Sequence, residues 1–599
     1  MLYFAPLCRY CFILVMAVLL LSVVKVADAN DKPQTDIDNS SLPTLAVTIE
    51  GIKDKAYLDN INVHLDIEKL VGQPIANPSY IRFLADKGRA QIQSALQPFG
   101  YYQASVDRHL NKTTNAWTLT YRVNLGEPVK VVRMVVRLVG AGQHDKALQN
   151  LLASCPLKVG DVLVQSKYRD CKDDLRVLAA QRGYFDADFS RAQIIIDDDY
   201  RNADIILIYQ TGRRYDFGAI TIKQDFLNAD VFRRYIDTFD LQGKPYLSSM
   251  IADLQRDLYN SRMVKVIDVS ASPDKARKTV PVEFAITPAK NKRHTFAIGY
   301  GTDTGARGRY DFAWHWVNRR GHQFDSKVFV AQKKQTITES YRIPGKHPAT
   351  DYYRLFVDAN HHASGDDHYT TWGLGAAYHD KKGKLQRELG VSWKKETFTI
   401  GDDRGTVGLL APYLSLTYRR VDDVLHVGDG LRVSATLTGA NDSVASDLTF
   451  LQAVASAKYI KRLDKAHKLT LKAAVGKTAI DDFHRLPASY RFFSGGDKTL
   501  RGYGFESIGD RDSNGHVIGG DSMYSGSVEY EYFFTDKMAV AAFIDVGNAY
   551  SDSAATAKIG AGFGFHYYSP IGPIKVDIAH GFDDPGDAIR LHLSIGPEL

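Results

Sequence analysis

After the first thirty residues the chain contains no run of 18 apolar residues, which excludes a polytopic helical membrane protein. A charge imbalance is also lacking. The 75 Lys and Arg against 69 Asp and Glu leave a net +6 over 599 residues, too small a basic excess for a nucleic-acid partner. Neither Gly-x-Ser-x-Gly nor His-Glu-x-x-His occurs, so the nucleophile elbow of a hydrolase and the helix of a zincin are both missing. The 18 His are scattered without metal-ligand spacing, and the pair His361 and His362 reads as a solvated loop. "GYGTDTG" from Gly299 and "GAGFGF" from Gly560 imitate phosphate loops, but no helix follows either, so close strand packing is their expected use. The expectation is a non-enzymatic chain with no cofactor, no metal and no nucleic acid. None of these absences excludes a transmembrane β-barrel, whose strands hide in alternation, and 33 Tyr with 47 Gly suit one.

Cysteine is scarce, and position matters more than number. Arg9 precedes the apolar run "CFILVMAVLLLSVV", and "VADA" precedes Asn30, the pattern of a secretory signal cleaved after Ala29. Cys8 and Cys11 fall at the edge of that leader. Cys155 and Cys171 remain, in an oxidising compartment. Leu148, Leu151, Leu152 and Cys155 share one helical face, and Tyr168, Cys171, Leu175, Leu178 and Ala179 share another, so both thiols point inward. A disulfide is expected, adding ~3 kcal/mol in the loop-entropy model. The alternative is two separately buried thiols.

The sequence then repeats. "PFGYYQASVD" around Gly100 recurs as "QRGYFDADFS" around Gly183 and more weakly as "NSRMVKVIDV" from Asn260. Each copy opens on a strand ("TLAVTIEGI", "VKVVRMVVRLVG", "FGAITIKQD") and closes on another ("WTLTYRVN", "ADIILIYQ", "VPVEFAIT"), with amphipathic helices between. In the third copy Leu247, Ile251, Leu254 and Leu258 form the apolar stripe. The unit reads β-α-α-β-β. Gly100 and Gly183 stand where a helix needs a left-handed closing residue.

From about His294 the helical period gives way to alternation. Phe296, Ile298 and Tyr300 oppose Thr295, Ala297 and Gly299; Tyr310, Phe312, Trp314 and Trp316 oppose Asp311, Ala313 and His315. Leu431 to Leu437 and Leu469 to Val475 behave alike. Aromatic residues gather at segment ends (Tyr530, Tyr532, Phe533, Phe534; Tyr567, Tyr568), as in the girdles of membrane barrels. The remaining length, at roughly 9 to 11 residues per strand plus turns, gives about 16 strands.

The densest motif is late. "RFFSGGDKTLRGYGFESIGDRDSNGHVIGGDSMYSGSVEYEYFF" runs from Arg491 between two candidate strands through a long connection, too apolar and too rich in glycine for a disordered tip. Beyond it Ser527, Glu529 and Glu531 face one way and Val528, Tyr530 and Tyr532 the other; in the next strand Phe543, Asp545 and Gly547 share the polar face. "GGDKTLRGY", "SVEYEY", "FIDVGNAY" and the closing "GAGFGFHYYSPIGPIKVDIAHGF" together resemble the BamA/TamA superfamily of outer-membrane assembly and secretion barrels. The three repeats resemble its POTRA modules, and their number, behind the polar segment "NDKPQTDIDNSSLPT", is most similar to the TamA branch.

That resemblance implies a membrane all-β fold: a 16-stranded antiparallel transmembrane barrel (291–599) behind α+β modules at 30–128, 129–213 and 214–290, with the leader at 1–29. It implies a loop that folds back into the lumen, where Gly495, Gly496, Leu500, Arg501, Gly502 and Tyr503 meet the acidic wall of Glu529 and Asp545. It also implies an outer-membrane location with periplasmic modules, surrounding lipid, unfolded outer-membrane or autotransporter-type substrates, and a TamB-like inner-membrane-anchored partner. The alternative within the same fold is a two-partner-type transporter secreting one passenger. A passive porin fits poorly with three periplasmic repeats, and an outer-membrane lipase with the missing nucleophile.

The resemblance places a lateral seam between the first barrel strand (Phe296, Ile298, Tyr300) and the last (Ile589, Leu591, Leu593, Ile595). The residues give reasons for a weak closure. Gly299 and Gly301 interrupt the first strand, and Gly596 with Pro597 cuts short the last, because proline donates no hydrogen bond and glycine adds no packing. The alternative is an ordinary, fully zipped seam.

Overall fold

The computed structural model describes residues 42–301, 303, 305–364, 367–423, 427–551, 556–569, 572–583 and 589–595. The leader with Cys8 and Cys11, and Gly596 with Pro597, lie outside the described residues.

Three modules share one β-α-α-β-β order. The first is β1 (Thr44–Glu50), α1 (Lys55–His64), α2 (Pro78–Leu96), β2 (Ser105–Lys112) and β3 (Ala116–Asn124). The second is β4 (Lys130–Gly140), α3 (Lys146–Ala153), α4 (Gln165–Gln181), β5 (Asp188–Ile196) and β6 (Asn202–Gly212). The third is β7 (Asp216–Lys223), α5 (Ala229–Phe239), α6 (Ser248–Asn260), β8 (Val264–Ala271) and β9 (Thr279–Pro288). In each the last strand is central, flanked by the other two. β3 alternates Trp117, Leu119, Tyr121 and Val123 inward, and α2 answers with Ile81, Leu84, Ala85, Gly88 and Ile92 on one face. Caps start these helices: Asn77 accepts from the Ser79 and Tyr80 amides, and Asp145 from that of Ala147. In the second module Cys155 and Cys171 form a disulfide, Cα–Cα 5.4 Å, within a core of Val131, Leu163, Ile205 and Leu207. Gly100 (φ +91°) and Gly183 (φ +86°) adopt the left-handed backbone expected of them.

The barrel has sixteen antiparallel strands, each paired with its neighbour in sequence. They are β10 (Lys292–Gly301), β11 (Gly305–Trp314), β12 (Gln323–Ala331), β13 (Lys334–Pro344), β14 (Asp351–Ser364), β15 (Asp367–Lys382), β16 (Leu385–Ile400), β17 (Asp403–Val421), β18 (Asp429–Ala440), β19 (Phe450–Arg462) and β20 (His467–Ile480). Residues 481–521 then leave the wall and include a small hairpin, β21 (Asp510–Arg511) with β22 (Val517–Gly519). The wall resumes with β23 (Ser522–Phe533), β24 (Met538–Tyr550), β25 (Lys558–Ser569), β26 (Gly572–Gly581) and β27 (Ile589–Ile595). β24 shows the alternation: Val540, Ile544 and Val546 face out, Ala541, Phe543 and Asp545 face in. Closure is incomplete. Among the described residues no ladder joins β10 to β27; across the closure Arg307 Nη2 of β11 donates to the Ile595 carbonyl of β27 at 3.5 Å.

The third module and the barrel belong to one compact unit. The Asn228 amide donates to the Arg319 carbonyl at 2.8 Å, and Arg234 Nη1 to that of Gly345 at 2.8 Å. Trp316, expected on the outer face of the first hairpin, lies beyond β11 and packs on Phe226 of the third module at 5.1 Å.

Several side chains differ from expectation. His361 and His362 sit in β14 rather than in a loop, and His362 is buried in the lumen because the strand runs longer than its polar ends suggest. Phe533 and Tyr568 are not girdle residues: strand parity turns them inward, where they pack on each other and on Ala539. Tyr530, Tyr532 and Phe534 do face out. Arg491 to Phe493 belong to the 481–521 excursion, not to a strand, since the ladder of β20 ends at Lys477 opposite Ser522.

Candidate functional site

The excursion places Arg501 inside the barrel, 3 % exposed. All five of its guanidinium N–H groups have acceptors. Nε and Nη2 grip Asp545 at 2.8 and 2.9 Å, Nη1 reaches Glu529 at 2.6 Å and Asp577 at 2.9 Å, and Nη2 also reaches Ser527 at 3.3 Å. The Arg501 amide donates to Asp545 as well, at 3.1 Å, so backbone and side chain share one carboxylate. The cation lies 3.3 Å from the centre of the Phe543 ring. Burial works against the charge, but Asp545, Glu529 and Asp577 outweigh it and raise the guanidinium above its ordinary value.

The acidic wall extends past the two expected carboxylates. Asp577 shares His566 Nε2 at 2.9 Å, His566 Nδ1 meets Glu531 at 2.5 Å, and Tyr568 donates to Glu531 at 2.7 Å. Lys575 donates to Glu529 at 2.8 Å, and Lys468 to the Tyr568 hydroxyl at 2.7 Å. The network thus spans β20 and β23 to β26. Glu529, His566 and Asp577 are close enough to hold a metal ion, yet Arg501 and Lys575 already occupy their oxygens. Arg501 and Lys575 supply the positive charge that these carboxylates face.

Two glycines make the docking possible. A Cβ on Gly560 of β25 would lie 2.0 Å from the Arg501 carbonyl oxygen, so only glycine lets the loop backbone touch the wall there. Gly502 is left-handed (φ +92°) and lies against the backbone of His580 and Gly581. Of the glycines in "GAGFGF", Gly560 packs against the loop, whereas Gly562 and Gly564 lie against β26, the close strand packing expected of them.

The 495–508 segment reaches four places on the wall. Leu500 and Tyr503 bury each other with Ile508, and the Tyr503 hydroxyl donates to the Ile559 carbonyl at 2.9 Å. Gly495 and Gly496 turn the chain in the left-handed region, and the Gly496 amide closes the turn onto the Leu500 carbonyl at 3.1 Å. Glu506 meets His362 of β14 at 3.0 Å. The Gly502 amide donates to His592 Nε2 of β27 at 3.0 Å, while the Asp497 amide donates to Asp303, in the turn between β10 and β11, at 2.9 Å. One loop therefore touches both flanks of the incomplete closure. Burial, with Asp303 facing it, pushes the Asp497 carboxyl up to about 7.

At the seam Phe296, Ile298 and Tyr300 face outward, Ile298 being 95 % exposed, as do Ile589, Leu591 and Ile595; Leu593 is half-buried. The structure brings together Arg501, Glu529 and Asp545, with Leu500, Gly502 and Tyr503 at the same wall. Asp577, His566, Lys575, His592 and Asp303 were not singled out in the sequence. Extending the alternation through "IKVDIAH" and "IRLHLSI" finds Lys575, Asp577 and His592; nothing local marks Asp303.

Comparison with known proteins bears on this geometry. The Omp85 superfamily domain matches residues 290–598, and the first POTRA domain of TamA matches residues 46–125. The outer membrane protein assembly factor BamA of Nitratidesulfovibrio vulgaris is 29% identical over 147 residues, 23% of this chain and 18% of that protein, so the match spans under a fifth of that relative. The structure of BamA from Haemophilus ducreyi lacking POTRA domains 1–3 is similar with a TM-score of 0.62 at 17% identity, over 77% of this chain and 98% of that one. CdiB from Acinetobacter baumannii gives a TM-score of 0.45 at 12% identity, over 78% of this chain and 89% of that one.

Proposed function

Because the chain belongs to the Omp85 superfamily, whose barrels sit in the outer membrane with POTRA domains in the periplasm, we propose that it is a non-enzymatic, TamA-type assembly factor. It helps autotransporter-type barrels enter the outer membrane through the seam between β10 and β27, working with a TamB-like, inner-membrane-anchored partner. The observation that carries the reading is that, among the described residues, no ladder joins those two strands while one lumenal loop touches both flanks.

The mechanism follows from backbone hydrogen bonding. In hydrocarbon each unsatisfied N–H or C=O costs several kcal/mol, so two strand edges left apart favour any strand that pairs with them. A substrate strand arriving in extended form satisfies one edge by augmentation, and the next strand can then pair with the first. While Asp497 holds the β10–β11 turn and Gly502 holds β27, the flanks stay in place. Release of the loop frees them to separate.

The test is photo-crosslinking in cells from a probe in the first module, with identification of what is captured. An inner-membrane-anchored, envelope-spanning protein supports the reading. Capture of one abundant secreted passenger instead selects the two-partner-type transporter.

A further inference from the structure

In the first two modules the chain leaves the second helix through a left-handed glycine, Gly100 or Gly183. At the same place in the third module, two residues past the end of α6, stands Arg262, at φ +65°. A side chain in that region is strained where glycine is not, so its retention calls for a gain elsewhere. The gain lies across the junction. Arg262 Nη1 donates to Asp325 Oδ1 of β12 at 3.2 Å, and Arg342 Nε of β13 stands 3.3 Å from the other oxygen. The Asp325 carboxylate is 9 % exposed, whereas the Arg262 side chain is 42 % exposed, so the module offers a half-exposed cation to a desolvated anion in the barrel wall. Beside this pair Gln323 Nε2 donates to the Ser261 carbonyl at 2.8 Å, and the Ala289 amide to that of Met263 at 2.9 Å.

We propose that Arg262 is a positioning residue that fixes the angle of the third module against the barrel through Asp325, and that its left-handed backbone serves to aim the guanidinium at the wall. Glycine there relaxes the turn but supplies no tether. An arginine in the ordinary helical region points its side chain elsewhere. The inference does not depend on what the barrel assembles, and its test reads geometry rather than activity.

Cysteines placed at the exposed residues Lys265 in β8 and Lys384 in the turn between β15 and β16 carry spin labels in the full-length protein in lipid nanodiscs, and dipolar spectroscopy gives their distance distribution. The unaltered junction is expected to show one narrow distance. Arg262→Met keeps the reach and the backbone but removes the charge, and the narrow peak is lost. Arg262→Lys keeps it. Arg262→Gly relieves the turn, so the module stays folded by circular dichroism, yet the peak is lost again. Asp325→Asn broadens the distribution in the same way, and combining it with Arg262→Met broadens it no further. A narrow, unshifted peak in either Arg262→Met or Arg262→Gly overturns the proposal, as does a Lys variant as broad as the Met variant.

Discussion

The Asp497 amide donates to the Asp303 carboxylate at 2.9 Å, so a loop inserted between the eleventh and twelfth barrel strands holds the turn that follows the first. Their two carboxyl groups face each other in a buried place, and that makes the contact sensitive to protons.

In the docked loop Asp497 keeps its proton up to about pH 7, against an ordinary value of 3.8. Between these values the docked state binds more protons than the undocked one, so docking is strongest in acid, weakens as pH rises towards 7, and changes no further above it. Lys498 and Arg307 oppose the shift in part. Protease resistance of the 495–508 segment is expected to fall between about pH 6 and pH 8, one unit to either side of that value. Asp497→Asn should hold the loop at both, and equal resistance of the unaltered protein at both pH values would count against the shared proton.

Arg501→Ala removes every bond of the guanidinium and leaves Asp545, Glu529 and Asp577 buried together. Breaking such a pair costs about 3–5 kcal/mol, enough to undock the loop while the strand ladder stands. The variant is expected to keep the mobility of a folded barrel in unheated gels, to lose loop protection from protease, and to lose assembly activity. Arg501→Lys should not restore it, because an ammonium lacks the planar fork that grips Asp545 with two nitrogens while reaching Glu529 and Asp577. Normal protection in the Ala variant would remove Arg501 from the docking argument.

Gly560→Ala separates backbone fit from charge. The added methyl meets the Arg501 carbonyl oxygen, and overpacking of this kind costs about 1–3 kcal/mol. Loop protection should decline with all ionic partners intact; if amide exchange across 495–503 is unchanged, the close approach at β25 is not needed.

Cysteines at Ile298 and Leu593, joined by an oxidant, are expected to stop assembly, and reductant should restart it. If the locked barrel inserts substrate as fast as the reduced one, the seam is not the route.

Replacing Cys155 and Cys171 with Ala is expected to destabilise the second module by about 3 kcal/mol, read as a lower midpoint in denaturant with the barrel transition unmoved. Alkylation of both thiols in unreduced, denatured protein would show that no bridge forms.

The barrel was legible because a period of two survives in any strand with lipid on one side. The same period exposed Glu529 and Asp545, each flanked by outward Val, Tyr or Ile. It was not carried into β26, and in β27 only the alternate residues Ile589 to Ile595 were singled out, so Asp577 and His592 were missed although Val576 and Leu591 mark their parity. Parity misled where a strand ends: Phe533 sits at the last position of β23 beside outward Tyr532, and runs of aromatic residues hide which ones turn in. His362 was misread because adjacent polar residues look like a loop, whereas a lumen tolerates them. Asp303 was beyond reach, since its partner is 194 residues away and only the closed tertiary fold brings them together. The weak third repeat was visible, but the meaning of its Arg in place of Gly needed the barrel wall beside it.

Strand order in the barrel follows chain order, so the wall can grow hairpin by hairpin with each addition local. The first part of the loop settles on β16, β17 and β19, but the 495–508 segment cannot settle on that schedule. Its anchors come from β14, from the turn after β10, and from β23 to β27, the last of which lies about ninety residues beyond Arg501. Until β26 and β27 arrive, Arg501 lacks Asp577 and Gly502 lacks His592. Settling of the loop therefore marks completion: a barrel stalled short of its final hairpin keeps the segment exposed, and a quality-control protease has a site in unfinished molecules that finished ones conceal.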